Sequence, residues 1–104
     1  MNVKYLFNSQ GEWTCFQVGK YLFDTDGNWV SWLPWDNKEV VTEEGEYLGT
    51  ICDNRIYHFS NKPYMGYPGY PGYPGYPGYP GYPGYAGYSP LPSFAKDIHF
   101  GNKR

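Results

Sequence analysis

Two groups of carboxylates stand out among the side chains that could do chemistry: Glu43, Glu44 and Glu46, and Asp24 with Asp26. General acid–base work needs a cleft that shifts a pKa. Both groups fall where turns are expected, so they read as solvated turn charges. Asp24-Thr25-Asp26-Gly27 has the opening spacing of a calcium loop, but the closing glutamate at the twelfth position is missing. His58 and His99 are far apart, as are Cys15 and Cys52, which leaves no close ligand pair of the kind structural zinc sites use. No Ser or Cys stands at a recognisable spacing from His58 to serve as a nucleophile. That histidine reads instead as a packed side chain on a strand, where other repeats carry Phe7, Phe23 and Val41. No phosphate loop, nucleophile elbow or metal motif is present. No residue is therefore expected to be catalytic, cofactor-binding or metal-ligating, no cofactor and no small-molecule substrate is expected, and the protein is expected not to be an enzyme.

Charge narrows the partners. Residues 1–62 carry five Lys or Arg against nine Asp or Glu, while the remainder carries Lys96, Lys103 and Arg104 against Asp97. Phosphate binding needs cations, so an acidic β domain is a poor reader of nucleic acid. The start Met1-Asn2-Val3-Lys4-Tyr5-Leu6-Phe7 is too short an apolar run for a signal peptide or a membrane span, which argues for a cytoplasmic protein that uses no membrane. Reduced thiols are expected at Cys15 and Cys52, although their spacing alone leaves a disulfide open.

The elements that must position these side chains are visible as a repeat. Lys4-Tyr-Leu-Phe-Asn-Ser-Gln-Gly-Glu-Trp13 returns as Lys20-Tyr-Leu-Phe-Asp-Thr-Asp-Gly-Asn-Trp29, then as Lys38-Glu-Val-Val-Thr-Glu-Glu-Gly-Glu-Tyr47. A looser fourth copy is Arg55-Ile-Tyr-His-Phe-Ser-Asn-Lys-Pro-Tyr64. Each begins with a base and places an apolar residue two later: Leu6, Leu22, Val40 and Tyr57. Each then reaches an aromatic: Trp13, Trp29, Tyr47 and Tyr64. Two residues on, the side chain is small: Cys15, Ser31, Gly49 and Gly66. Residues two apart share a strand face, so each second strand sets a ring beside a gap, the pattern that fills interdigitated layers. Asn8-Ser9-Gln10-Gly11 and Asp24-Thr25-Asp26-Gly27 suit a type I turn closed by a residue at positive φ. The chain reads as all-β, four tandem hairpin-like repeats followed by a Gly-Tyr-Pro low-complexity tail. The expected divisions are residues 1–67 for the repeats, 68–89 for the tail and 90–104 for a terminal segment able to dock.

On these columns, and on Cys15-Phe16, Ser31-Trp32 and Gly66-Tyr67 with Gly49-Thr50 as the exception, the chain resembles the four-fold beta flower family. The resemblance implies a small bacterial protein of four β petals arranged around a pseudo-fourfold axis, with a Pro-rich tail, and it implies no activity.

From Gly66 the chain runs through six Gly-Tyr-Pro triplets, then Gly84-Tyr85-Ala86 and Gly87-Tyr88-Ser89. Proline fixes φ and removes a donor at every third place, so polyproline II or a mobile spacer is the expected conformation. Gly at every third position is also the collagen rule, though eight triplets make a short triple helix. The aromatics expected to be exposed for binding are Trp35, just beyond Pro34, and Tyr67, Tyr70 and Tyr73. The favoured function is a non-catalytic scaffold or interaction module that displays its tail to a protein partner or to itself. One alternative is a cell-wall or carbohydrate-binding module, since Tyr21 to Trp29 is similar to the aromatic hairpins of choline- and glucan-binding repeats. The other is a structural protein that oligomerises through its tail.

Overall fold

The computed structural model describes residues 3–35, 38–64 and 66–100. Eight strands follow one another: β1 Lys4–Phe7, β2 Trp13–Val18, β3 Tyr21–Asp24, β4 Trp29–Trp32, β5 Glu39–Thr42, β6 Tyr47–Cys52, β7 Arg55–Phe59 and β8 Ala95–Asp97. Each pairs antiparallel with its sequence neighbour, and the sheet closes into a ring where Phe7 of β1 bridges Arg55 of β7. The Phe7 amide donates to the Asn54 carbonyl at 2.8 Å at this closure. Aromatic and β-branched residues make these segments strands, and the short turns between them set the register.

The first three petals are hairpins of one design. Gly11, Gly27 and Gly45 close the turns at φ of +83°, +87° and +93°, a region that L side chains rarely adopt. Asn8 Oδ1 accepts from the Gln10 and Glu12 amides, and Asp24 Oδ1 accepts from the Asp26 and Asn28 amides. A bulge follows at the same step in each petal, between Leu6 and Phe7, Leu22 and Phe23, and Val40 and Val41. The bulge sets Cys15, Ser31 and Gly49 opposite Leu6, Leu22 and Val40. The small side chains therefore leave room at the axis for the apolar ones.

The fourth petal is assembled differently from the expected hairpin. Its second strand is β8, drawn from the far end of the chain, with Tyr57 paired to Asp97, His58 to Lys96 and Phe59 to Ala95. Tyr64 and Gly66 are not its aromatic and small positions: Tyr64 lies outside any strand and is 85% exposed. The frame of this repeat is also displaced by one residue. Ile51 pairs with Ile56 as Gln17 pairs with Leu22, so Ile56 is the counterpart of Leu22, and Tyr57 falls in the column of Phe23. His58 therefore stands at the turn-capping column of Asp24, not with Phe7, Phe23 and Val41. A one-residue step in a strand exchanges its faces, and Arg55, aligned by charge with Lys4 and Lys20, concealed that step.

The axis holds Leu6, Cys15, Leu22, Leu33, Val40, Ile51, Ile56 and Ile98 in one buried cluster. Ile98, directly after β8, is much larger than the three small residues of the other petals. Gly49 makes space for it, because a Cβ there would lie 2.5 Å from Ile98 Cδ1. The opposite strand faces are buried too, at Phe7, Phe16, Phe23, Trp32, Val41 and Tyr57.

Residues 66–88 are neither polyproline II nor collagen-like. Their eight glycines have φ between +84° and +96°, whereas both of those helices need negative φ throughout. Glycine is the residue that enters this region without steric cost, which accounts for its recurrence at every third place. The resulting strap bends around the flower and delivers β8 to the fourth petal.

Candidate functional site

The rim of the flower, where strap meets petals, gathers most of the chain's aromatic side chains. Trp13 and Trp29 stand at equivalent positions, and each indole Nε1 donates to a carbonyl two residues on, at Cys15 (2.9 Å) and Ser31 (2.8 Å). A strand tyrosine meets each indole edge-on: Tyr5 on Trp13 at 5.7 Å, Tyr21 on Trp29 at 6.0 Å. The strap completes both enclosures. Tyr70 and Tyr73 lie 5.8 and 5.9 Å from Trp29, and Tyr79 and Tyr82 each lie 6.0 Å from Trp13. Tilted and edge-on rings at these separations are favourable pairs, each contributing about 0.5–1.5 kcal/mol.

The second pair of strap tyrosines follows the first by nine residues, while the petals repeat by sixteen. Hydrogen bonds keep the same step: the Tyr21 hydroxyl reaches the Pro71 carbonyl at 3.4 Å and the Tyr5 hydroxyl reaches that of Pro80 at 2.9 Å. Three triplets of strap thus span one petal. The petal turns receive the strap at their glycines, since a Cβ on Gly27 would meet the Tyr76 ring at 2.4 Å and one on Gly11 the Gly87 backbone at 2.5 Å.

Polar contacts fasten the far end. The Arg55 guanidinium donates to the carbonyls of Asn8, Ala86 and Gly87, gathering β7, the first turn and the strap. The Ala86 amide donates to Gly11 and the Ser89 amide to Ser9. Asp97 accepts from the Ser9 amide at 2.8 Å and from its hydroxyl at 2.6 Å, which ties β8 to the first petal.

Petal three breaks the pattern. Glu39 occupies the column of Tyr5 and Tyr21, receives a hydrogen bond from Thr50 and pairs with Lys62 at 3.0 Å. Tyr47 takes the tryptophan's place, its hydroxyl 2.8 Å from that of Thr50 and its ring 5.2 Å from His58. His58 is oriented there by Nδ1 donating to the Leu48 carbonyl at 2.8 Å. Beside Tyr47 a cleft of about 280 Å³ opens, lined by Trp35, Tyr64, Tyr67, Glu44 and Glu46 among others.

The residues singled out from sequence thus fall in several places. Trp13 and Trp29 head the two aromatic enclosures, Tyr47 borders the cleft, and Tyr64 forms an outer wall of it. Cys15, Ser31 and Gly49 line the axis, while Gly66 belongs to the strap. Trp35, expected to be exposed, is half-buried against the cleft. Tyr67, Tyr70 and Tyr73 are 71%, 59% and 69% exposed, and Tyr76, Tyr79, Tyr82, Tyr85 and Tyr88 continue the same row. Tyr5, Tyr21 and Arg55 were not legible as site residues because their partners lie on the strap, and Glu39 because its partners Thr50 and Lys62 are brought to it by the fold. Burial pushes the Cys15 thiol up to about 12, and Cys52, only partly covered, is raised chiefly by desolvation. Both cysteines are free. Among the described residues no three His, Cys, Asp or Glu side chains are grouped to hold a metal ion, and no helix is long and apolar enough to cross a membrane.

Compared with known families, the chain matches the 4-fold beta flower protein over residues 4–101, so strap and β8 lie within the match along with the petals. The chain belongs to that family. No curated protein and no solved structure matches it.

Proposed function

We propose that this 4-fold beta flower protein is a non-catalytic interaction module whose contact surface is the tyrosine row on its strap. The observation that carries the reading is that Tyr67 to Tyr88 are 59–71% exposed on a backbone fastened by Trp13, Trp29 and Arg55. Tyrosine offers a large amphipathic surface with few rotatable bonds, and holding its backbone beforehand removes part of the entropic cost of binding. Monomeric proteins rarely leave so many large rings in one continuous exposed row without a partner. Residues 63–95 carry no charged side chain, so the partner surface is aromatic or proline-rich, not strongly charged. The free thiols of Cys15 and Cys52 support a reducing compartment, the cytoplasm, as the place where it acts.

The test uses the full chain and a Tyr85→Ser/Tyr88→Ser variant, two rings that enclose neither tryptophan. Light scattering of both proteins separates self-association from binding of another protein. Loss of the complex in the variant, with an unchanged circular dichroism spectrum, supports the reading. A partner held equally by both proteins contradicts it.

A further inference from the structure

Petals one and two fill the space over their tryptophans with their own tyrosines, whereas petal three leaves its space open. Glu39 replaces the strand tyrosine and is drawn aside to Lys62 and Thr50, so no ring of its own strand closes over Tyr47. The strap is only beginning here, and its first rings border the opening without filling it.

We propose that this cleft is a binding site for a small organic cation, an alkylammonium group held against the faces of Trp35, Tyr47, Tyr64 and Tyr67. The chemistry of the lining selects that class. Four aromatic rings line it, and the electron-rich face of such a ring attracts a cation that is weakly hydrated and poorly matched to hydrogen-bonding partners. Glu44 and Glu46 add negative charge to the same lining, and among the described residues no Lys or Arg lines it. The nearby ammonium of Lys62 is held by Glu39 at 3.0 Å. A volume of about 280 Å³ suits a group of a few heavy atoms, smaller than a drug-sized ligand. The site shares Tyr67 with the exposed tyrosine row but neither Tyr85 nor Tyr88, so the Tyr85→Ser/Tyr88→Ser variant leaves its lining intact and either reading can fail without the other.

The probe is choline, compared with 3,3-dimethylbutan-1-ol, which has the same shape with carbon in place of the charged nitrogen. Binding to the full chain is followed by amide and indole chemical shifts. The expected result is saturation by choline at millimolar concentration, with shifts centred on the Trp35 indole and Gly45 amide, and no saturation by the alcohol. A Glu44→Gln/Glu46→Gln variant keeps the fold, because both carboxylates are exposed, and weakens choline by about fivefold or more. Trp35→Leu is the second variant and abolishes saturation. Equal binding of the neutral alcohol, no saturation by choline, shifts centred elsewhere, or unchanged affinity in the Gln variant would each overturn the proposal.

Discussion

The Tyr5 hydroxyl donates to the Pro80 carbonyl at 2.9 Å across 75 positions of sequence. Nine residues earlier on the strap and one petal further round, Tyr21 makes the same bond to Pro71. Two structures with different periods are thus in step, sixteen residues of petal against nine of strap. A tail that merely hung from the fourth petal would have no reason to keep that ratio.

Removing everything after Tyr67 deletes the strap and β8 together. The fourth petal loses its second strand, the axis loses Ile98, and Trp13 and Trp29 lose two ring contacts each. The expected outcome is a chain without a cooperative urea transition, followed by tryptophan fluorescence. A truncated protein with a midpoint near that of the full chain would show that the petals suffice.

The turn glycines separate conformation from contact. Gly11 and Gly19 both have positive φ, but a Cβ on Gly19 meets nothing within 4 Å, whereas one on Gly11 would lie 2.5 Å from the Gly87 backbone. Gly19→Ala is expected to cost about 1 kcal/mol, the strain of its dihedral alone. Gly11→Ala is expected to cost more, about 2–3 kcal/mol, because the strap must also move. Urea denaturation of the two variants measures the difference, and equal losses would remove Gly87 from the account.

Asp97 joins the two ends of the ring through Ser9. Asp97→Ala leaves the Ser9 amide and hydroxyl without their acceptor and is expected to lower stability by about 1.5–3 kcal/mol, the usual worth of hydrogen bonds to a charged group. Hydrogen exchange should report the loss first at β8 and the first turn. A loss spread evenly over all petals would contradict a local closure.

Cys15 and Cys52 should differ in reactivity. Burial holds the Cys15 thiol neutral up to about 12 against an ordinary 9.0, so a thiol reagent at pH 8 should label Cys52 and leave Cys15 untouched in the native protein. The same shift has a stability consequence. Between about pH 9 and 12 the folded chain keeps a proton that the unfolded chain has released, so this contribution is complete below about pH 9 and is lost as pH rises through that window. Labelling of Cys15 at the rate of Cys52 would place it in solvent.

Much of the fold is legible in the residues themselves. Lys4 to Trp13 and Lys20 to Trp29 repeat nearly letter for letter, and Gly11 and Gly27 mark turns whose chemistry is local. The fourth petal is not legible in that way, because Ala95-Lys96-Asp97 is too short to show alternation and lies more than thirty residues from the strand it pairs with. Arg55 matched the basic column while the strand behind it had stepped by one residue, and only pairing with β6 reveals the step. Gly-Tyr-Pro triplets have a local preference for polyproline II when nothing is near them. Contacts with Trp13, Trp29 and the turn glycines set their actual conformation, and those contacts are long-range. The petal-three cleft was out of reach for the same reason, since Trp35, Tyr47 and Tyr67 meet there only after the strap has started its course.

The central claim, that the strap is an ordered part of the flower and presents its tyrosines on a fixed backbone, is tested most directly by ¹⁵N relaxation at Gly69 to Gly87 in the full chain. Order parameters near those of the petal strands, about 0.85, are expected. Values below about 0.6 along the strap, with sharp coil-like signals, would contradict it.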